Sequence, residues 1–311
     1  MDLNFHPIEA RDVGRLRPYF GMRSNYTCDS VVMDSYLWKD FFRVQCACIE
    51  GKAAYVISYA GGRWQAALPF CRKEDMPCYF RLLEEYFNRD LGQKLYIVLA
   101  DMPGIRALGL SESLSGRSEP EGGYRITEDA DAADYVYDAE SLRTLAGRKY
   151  HKKKNHVNAF LAEYEGRYEY RRLAAADKET IWKFLERWRL QKGDEVGEQH
   201  LEAEIVGLHG ILNHMEELDT CMAGIFVDGV LEAFTLGSYN QTDNMAVIHC
   251  EKANPEIRGL YPFINQQFLV HEFPQANLVN REDDLGLPGL RRAKESYHPI
   301  MKVKKYSMVQ R

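Results

Sequence analysis

Alternating apolar and polar positions predict two β-hairpins in this chain. The first lies in FRVQCACIEGKAAYVISY (42–59), where Glu50-Gly51 separates two runs with a period of two. The second lies in CMAGIFVDGVLEAFTLGSYN (221–240), around Asp228-Gly229. A period of two is typical of half-buried strands, and Asp-Gly between two such runs is the strongest short signal for a tight turn. Each half of the chain therefore contains a hairpin.

Apolar residues at helical spacing, together with N-cap and glycine stop signals, predict the helices. We predict helices over 11–20, 33–42, 76–92, 142–164, 177–193, 198–218, 260–273 and 287–298. Further strands are predicted over 5–10, 63–70, 94–101, 124–138, 168–173, 244–253, 277–281 and 300–309. The run 94–101 is almost continuously apolar, which is typical of a central strand buried on both faces.

Residues 111–140 interrupt this order with nine acidic residues against two arginines. This composition predicts a loop followed by a strand, and it places a domain junction near residue 140. After the junction the predicted order is β-α-α-β-β-β-α-β-α-β. Before it the order is nearly the same: strand, two helices, hairpin, strand, helix, strand. We therefore predict a duplicated α+β fold with domains 1–140 and 141–311, each a mixed central sheet flanked by helices.

The composition limits the classes of function. With 311 residues and a formal net charge of −6, the chain is long enough for two domains and has no generic affinity for nucleic acid. We expect no DNA binding. The seven cysteines form no CxxC pair, which favours reduced core thiols over a zinc site or a disulfide framework. No apolar run approaches the roughly 20 residues that span a bilayer, and no signal peptide is evident, so we expect a cytoplasmic protein.

The segment GRKYHKKKNHVNAF (147–160) concentrates positive charge in this acidic chain. The apolar stripe that follows, when continued backwards at helical spacing, meets Lys153 or Lys154 and then Tyr150. Some of the lysines should therefore face inward, towards the junction between the halves. Either the segment is an anion-binding wall of a cleft, or it is a solvated helix face. Candidate contacts for an RNA phosphate are Arg148, Lys152, Lys153, Lys154 and Asn155.

Two motifs resemble a known family. They are DYVYDAESLRTLAGRKYHKKKNHVNAF (134–160) and VNREDDLGLPGLRRAKESYHP (279–299). With the element order, they resemble the phosphatidylglycerol lysyltransferase C-terminal-like family, a tandem GNAT acyltransferase fold related to the Fem-type peptidyltransferases. The resemblance covers nearly the whole chain. It implies aminoacyl transfer from a charged tRNA to a small-molecule or lipid-headgroup acceptor, with peripheral membrane contact.

The resemblance implies that a coenzyme A-binding loop of the GNAT type would correspond to EIRGLYPF (256–263). Acyl-CoA enzymes of the GNAT fold carry a Q/R-x-x-G-x-G/A loop there, whose backbone N–H groups bind pyrophosphate at a helix N-terminus. Glu256 and Tyr261 fit neither end of that pattern, and Pro262 lacks an N–H donor. We therefore expect neither coenzyme A nor another cofactor.

Glu251 is the first candidate catalytic group. It ends the strand 244–253, near the splayed centre of the sheet where many GNAT enzymes hold a general base. A partly desolvated carboxylate there would accept a proton from an attacking amine. The alternative is a salt bridge with Lys252 or Arg258.

Asp283 and Asp284 are the other catalytic candidates. With Glu282 they form a turn before a helix, where carboxylates would bind an ammonium group or complement the helix dipole. Candidate substrate or tRNA contacts around this turn are Asn280, Arg281, Arg291, Lys294 and Tyr297.

The histidines offer no metal site in the sequence. His249, His271 and His298 lack metal-ligand spacing, so we predict satisfied core or surface side chains and no bound metal. No Ser/His/Asp arrangement is evident either.

The leading interpretation is an aminoacyl or acyl transferase that uses a charged tRNA and an amine or hydroxyl acceptor. Two alternatives stay open. One is a non-catalytic tRNA- or headgroup-binding protein on the same fold, and the other is an acetyl-CoA-dependent N-acetyltransferase.

Overall fold

The structure is a computed structural model that describes residues 3–110, 123–192, 198–218 and 220–311. The first part of the predicted acidic loop, 111–122, lies outside the described residues. Short 3₁₀ turns occur at Cys28–Ser30, Lys73–Asp75, Arg148–Tyr150 and Ala175–Asp177, and a π-helical turn follows the third helix at Tyr86–Asp90.

The elements of the N-terminal half are β1 (His6–Pro7), α1 (Ala10–Phe20), α2 (Val32–Leu37), β2 (Gln45–Ile49), β3 (Ala53–Ala60), β4 (Arg63–Ala66), β5 (Phe70–Cys71), α3 (Met76–Glu85), β6 (Tyr96–Asp101), α4 (Met102–Ala107) and β7 (Tyr124–Asp138). Those of the C-terminal half are α5 (Ala139–Thr144), α6 (His151–Glu163), β8 (Tyr168–Arg172), α7 (Lys178–Lys192), α8 (Glu198–Asn213), α9 (Met215–Leu218), β9 (Cys221–Val227), β10 (Val230–Asn240), β11 (Met245–Ala253), α10 (Leu260–His271), β12 (Leu278–Asn280), α11 (Pro288–Glu295) and β13 (Met301–Gln310).

Helix α4 was not predicted, and it makes the two element orders agree. Asp101 caps this helix, since its side chain accepts a hydrogen bond of 2.8 Å from the Gly104 N–H. Pro103 in the first turn is pre-organised for a helical start. With α4 included and the two-residue β5 set aside, the N-terminal half also has the order β-α-α-β-β-β-α-β-α-β.

A single mixed sheet joins the halves. Its order is β1-β2-β3-β4-β6-β13-β7-β12-β11-β10-β9-β8, with β5 paired to β3 off this path. From either edge, four antiparallel strands lead to one parallel pair, β4 with β6 or β11 with β12. Each parallel pair is followed by a long antiparallel strand. The same pairing pattern therefore occurs twice in the described chain.

The long central strands are exchanged between the halves. β7, which ends the N-terminal half, pairs with β12, and β13, which ends the chain, pairs with β6. β7 and β13 pair with each other in the middle of the sheet. The sheet therefore continues across residue 140, and the boundaries 1–140 and 141–311 stay a prediction.

One apolar core also spans both halves. It contains α1 and α2 residues such as Leu16 and Tyr36 together with Phe184, Leu208 and others from the C-terminal half. Helices α2 and α8 meet closely, because a Cβ on Gly207 would lie 1.9 Å from the Leu37 carbonyl oxygen. This packing fixes the position of α2 relative to the C-terminal strands.

Three predicted elements are divided in the structure, and one of them is the helix predicted over 198–218, which consists of α8 and α9. The helix predicted over 142–164 is interrupted where Leu145 and Gly147 have positive φ angles of 48° and 89°, so that α5 and α6 are separate. The strand predicted over 63–70 divides into β4 and β5 before and after Pro69. Among the described residues, no helix is both long enough and apolar enough to span a membrane.

Candidate functional site

A cavity of about 890 Å³ opens where β11 and β12 diverge. The two parallel strands pair only over 245–247 and 278–280, after which β11 continues to Ala253 paired with β10 but without β12. Residues 248–252 line one side of the gap and residues 281–283 line the other. Residues of the N-terminal half, among them Asp34 and Trp38, complete the cavity wall. Strand ends that separate in this way are where open α/β sheets bind ligands.

Glu251 projects from β11 into this cavity and has two partners. Its Oε1 accepts a hydrogen bond of 2.9 Å from Arg281 Nη2, and its Oε2 accepts one of 2.8 Å from Asn265 on α10. The expected ion pair of Glu251 therefore exists, but its partner is Arg281. Lys252 instead pairs with Glu204 at 2.7 Å, because adjacent residues of a strand point to opposite faces.

Lys153 reaches the same cluster from α6. Its Nζ lies 3.8 Å from the centre of the Tyr297 ring, and Arg281 stacks on the same ring at 4.6 Å. Burial, with the nearby Arg281 charge as a second cause, lowers the pKa of Lys153 to about 8. Of the lysines in the basic segment, Lys153 is thus the one that the structure places in the cavity wall.

The cluster has an excess of positive charge and an unused donor. Arg281 and Lys153 face the single carboxylate of Glu251. Arg281 Nη1 is buried and has no hydrogen-bond partner among the described residues. A buried donor without a partner costs about 1–3 kcal/mol. The arrangement therefore suits a ligand that supplies an acceptor oxygen or a negative charge.

A second group of polar residues lies further back along β11. Leu236 pairs with Cys250 and Gly237 with Ile248, which leaves His249 as the extra residue of a β-bulge. Its Nε2 lies 2.9 Å from Ser238 Oγ and its Nδ1 lies 3.0 Å from Glu282 Oε1. Burial lowers the pKa of His249 to about 4.

Glu282 lies beside a carboxyl group from the other half of the chain. Atoms of Asp34, Glu282 and Cys28 approach within 4.8 Å of one another. Burial raises the pKa of both Glu282 and Asp34 well above their ordinary values. Two carboxyl groups in such a position ionise together only at high cost.

Lys305 neutralises the acids behind this pair. Its Nζ lies 2.9 Å from Asp134 Oδ1, 2.7 Å from Asp29 Oδ2 and 3.1 Å from Cys28 Sγ. Because β13 supplies the lysine and β7 supplies Asp134, the exchanged strands anchor the loop 24–30 at the floor of the cavity.

The chain is similar to one protein family and to several known proteins. Residues 33–309 match the family model described as phosphatidylglycerol lysyltransferase, C-terminal. This chain belongs to that family. An uncharacterized protein of Mycoplasmoides gallisepticum is 23% identical over 176 residues, which cover 56% of this chain and 55% of that protein. The match thus spans about half the length of the curated relative.

Solved structures share the fold. A conserved protein of unknown function from Bacteroides thetaiotaomicron is 25% identical, with a TM-score of 0.86 over 100% of both chains. L-PGS from Bacillus licheniformis is 13% identical, with a TM-score of 0.66 over 96% of this chain and 92% of that one. FemX is 9% identical, with a TM-score of 0.53 over 98% and 96%. The predicted family and the predicted tandem GNAT fold class are therefore confirmed.

The turn motif of the family, 280–284, is held by its own polar residues. Asp284 accepts hydrogen bonds from Arg291 Nε at 2.8 Å, Tyr135 Oη at 2.5 Å and the Gly286 N–H at 3.0 Å. These bonds, led by that of Arg291, lower the pKa of Asp284 to about 2. Lys294 Nζ donates to the carbonyl oxygens of Arg281 and Asp283. Asp284, Arg291 and Lys294 therefore orient the turn.

Two other predicted site residues differ in their access to the cavity. Asn280 is buried and donates from Nδ2 to the Tyr26 carbonyl at 3.0 Å and to Asp134 at 3.1 Å. Its Oδ1 accepts from the Glu282 N–H at 2.7 Å, which completes a structural role. Asp283 lines the cavity, and burial raises its pKa.

The remaining basic-segment candidates lie on the surface of α6 and of the 3₁₀ turn before it. Arg148, Lys152, Lys154 and Asn155 are exposed. Asn155 contacts only its helix neighbour His151 in the described hydrogen bonds, at 3.4 Å. These residues remain candidates for tRNA contact outside the cavity.

The segment 256–263, which the resemblance aligns with the coenzyme A loop of other GNAT enzymes, lies against α6. Gly259 is the N-cap of α10 with a φ of 85°, and a Cβ there would lie 2.0 Å from the His156 carbonyl oxygen. The backbone of α6 thus lies against the helix start that would bind pyrophosphate. Tyr261, which does not fit the loop pattern, lines the cavity and accepts a hydrogen bond of 3.2 Å from Trp188 Nε1.

Potential metal ligands occur in two places among the described residues. His6, Asp12 and Cys46 gather near the edge strand β1, and Cys28 lies beside both Asp34 with Glu282 and Asp29 with Asp134. The ammonium of Lys305 already lies 3.1 Å from Cys28 Sγ, which opposes a cation there. Sequence reasoning missed Cys28 and Asp34, because nothing local in 24–38 indicates that the fold brings them to β11.

Proposed function

We propose that this protein is an aminoacyltransferase, which moves an aminoacyl group from a charged tRNA to an amine or hydroxyl acceptor. The family match supports the reaction class. The cavity supports a site for it, because Arg281 and Lys153 bring two cationic groups to its wall and Glu251, Glu282 and Asp283 bring carboxyl groups. The single observation that carries the proposal is the placement of two cations, Arg281 and Lys153, over the Tyr297 ring in the cavity wall, with Glu251 as the ion-pair partner of Arg281.

Arg281 and Lys153 serve as the oxyanion and phosphate contacts in this proposal. Ester aminolysis or transesterification develops negative charge on the carbonyl oxygen, and fixed donors in a water-poor site stabilise that charge. Glu251 and Asn265 hold Arg281 in place, since both oxygens of Glu251 are already hydrogen-bonded. Both cations contact the Tyr297 ring through cation–π interactions.

The proposal does not specify the chemical identity of the acceptor. The family description points to a phospholipid headgroup, which would bring a hydroxyl group and a phosphate. The apolar part of the cavity wall, with Trp38, Phe42, Leu68 and Phe70, would contact a less polar part of such an acceptor. The exposed face of α6 would bind the tRNA acceptor end through phosphate contacts.

The test is transfer of a labelled amino acid. Bulk tRNA charged with a radiolabelled amino acid mixture is incubated with the protein and with either phosphatidylglycerol vesicles or small amines. We expect label to leave the tRNA and appear in one acceptor fraction. Arg281→Lys should lower the rate by about 100-fold, because the shorter lysine ammonium lacks the planar fork with which the guanidinium contacts Glu251 and presents a further donor in a fixed direction. Exposed Arg292→Lys is the matched control. No transfer above the protein-free rate with any acceptor contradicts the proposal.

A further inference from the structure

A hydrogen-bonded chain leads from β10 to the cavity. Ser238, His249 and Glu282 follow one another with contacts of 2.9 Å and 3.0 Å. The β-bulge makes this possible, because His249 has no opposite residue in the ladder and its side chain is redirected. The His249 side chain is fully buried, so its two ring nitrogens are committed to these two partners.

Glu282 is the member of this chain that lines the cavity. Its Oε1 contacts His249, and within the part of the chain that the structure covers no hydrogen bond to Oε2 is described. The backbone conformation orients the carboxylate. Glu282 has a positive φ of 59°, and its N–H donates to Asn280 Oδ1. Such a conformation is uncommon for a residue other than glycine and occurs frequently at functional sites.

Several charged groups surround Glu282. Asp34 faces it from α2, Asp283 from the same turn, and Lys294 from α11. Asp134 on β7 and Lys305 on β13 also act electrostatically on Glu282. Four carboxyl groups, including Glu282 itself, therefore face two lysines, so a proton gained by Glu282 reduces the excess of acidic groups in this buried set.

We propose that Glu282 is the proton acceptor of the transfer reaction, with His249 and Ser238 as positioning residues and Asp34 as the group that shares its proton. This inference rests on the proposed function. It differs from the sequence-based assignment of the base to Glu251, whose two oxygens already accept from Arg281 and Asn265. Burial raises the pKa of Glu282, which makes its carboxylate a stronger base than an exposed glutamate.

The proton balance closes within the site. The acceptor O–H or N–H bond breaks as its heteroatom bonds to the ester carbonyl carbon, and the proton moves to Glu282. The tetrahedral intermediate then breaks its bond to the ribose oxygen of the tRNA. That oxygen receives the proton back from Glu282, so the carboxylate is regenerated and no co-reactant is needed. His249 stays neutral throughout and holds the carboxylate in place.

The pH dependence of transfer tests the proposal. Labelled aminoacyl-tRNA is used with the acceptor that receives label in the transfer assay, and wild type is compared with Glu282→Gln, His249→Gln and Ser238→Ala. We expect Glu282→Gln to lower kcat by about 100-fold or more and to remove the rise of the rate with pH. His249→Gln and Ser238→Ala should lower kcat about 10-fold and shift that rise, with KM unchanged. Exposed Glu169→Gln is the matched control.

A stability measurement keeps the test independent of activity. A carboxyl group with a raised pKa in the folded state destabilises the fold as pH rises from its unfolded pKa towards its folded one. Glu282→Gln removes this effect, so its Tm should exceed that of wild type increasingly as pH rises above about 5. A Tm difference between the two proteins that stays constant with pH would contradict a proton shared between Glu282 and Asp34.

The outcomes separate the two proposals. Transfer by wild type together with an unchanged rate and pH profile in Glu282→Gln overturns the role of Glu282 and leaves the proposed function intact. Absence of transfer by wild type with every acceptor overturns both.

Discussion

Lys153 Nζ lies 3.8 Å from the centre of the Tyr297 ring, and this contact joins the two sequence motifs of the family at one point of the cavity. The first motif supplies the lysine from α6, and the second supplies the tyrosine that follows α11. An ammonium over an aromatic face is stabilised by about 0.5–2 kcal/mol, depending on its hydration. The same ring also supports Arg281, so one side chain positions both cations of the site.

Lys153→Gln should lower transfer and change its pH dependence. Burial lowers the pKa of Lys153 to about 8, so the wild-type site loses a positive charge as pH rises through that value. We expect the wild-type KM for aminoacyl-tRNA to increase between about pH 7 and 8.5, and the variant to show a higher KM without this increase. Initial rates over that range measure both effects.

The same substitution has a stability signature. Because the folded pKa of Lys153 lies below its ordinary value of 10.5, the unfolded chain binds more protons between these values. The stability of wild type relative to Lys153→Gln should therefore rise as pH increases from about 8 to 10. Denaturant unfolding at several pH values checks the sign, and a falling difference would show that Lys153 is not desolvated.

Lys152→Gln with Lys154→Gln tests the outer face of α6. Both side chains are exposed, so the fold should survive their replacement. If they contact tRNA phosphates, binding weakens and the slope of log K against log salt falls by about 0.7 per lost single-strand contact. Filter binding at several salt concentrations measures this slope. The same affinity and slope in the variant would assign these lysines to a solvated face.

Asp284→Asn should act on stability rather than on chemistry. The carboxylate is buried and holds Arg291, Tyr135 and the Gly286 N–H. Removing the buried acceptor while Arg291 stays partly exposed to solvent should cost about 1–3 kcal/mol. Its depressed pKa of about 2 adds a second signature, since the contribution of wild-type Asp284 is present above pH 4 and is lost as pH falls towards 2. Wild-type stability combined with lost transfer would instead support the sequence-based catalytic role.

Gly259→Ala and Gly289→Ala form a matched pair. Gly259 has a φ of 85°, and a Cβ would meet the His156 carbonyl at 2.0 Å, whereas a Cβ on Gly289 would meet nothing within 4 Å. We expect Gly259→Ala to lower the free energy of unfolding by more than about 1 kcal/mol, and Gly289→Ala to raise it slightly. Chemical denaturation compares them. Equal stabilities would mean that α6 does not press on the start of α10.

Most of the fold was predictable from local patterns. The hairpins at Glu50-Gly51 and Asp228-Gly229 and the order of elements in the C-terminal half follow from alternation, helical spacing and turn residues. The inward position of Lys153 also follows from the stripe on α6. Helix α4 is six residues long and too short for periodicity to indicate, although Asp101-x-Pro103 contains its cap and first turn.

The set of residues that meet at the site was less predictable, because it depends on contacts between segments that are distant in the sequence. No pattern near Glu251 shows that Arg281, thirty positions later, is its partner. The β-bulge at His249 arises from a register shift between β10 and β11, so the sequence predicts only a satisfied core or surface histidine there. Asp34 reaches Glu282 only because α2 packs against the C-terminal half.

The most direct test of the central claim is the loss of labelled amino acid from charged tRNA in the presence of each acceptor, with wild type compared with Arg281→Lys. The account predicts acceptor-dependent transfer by wild type and a rate about 100-fold lower in the variant. Equal rates in the two proteins, or no transfer by wild type to any acceptor, would contradict it.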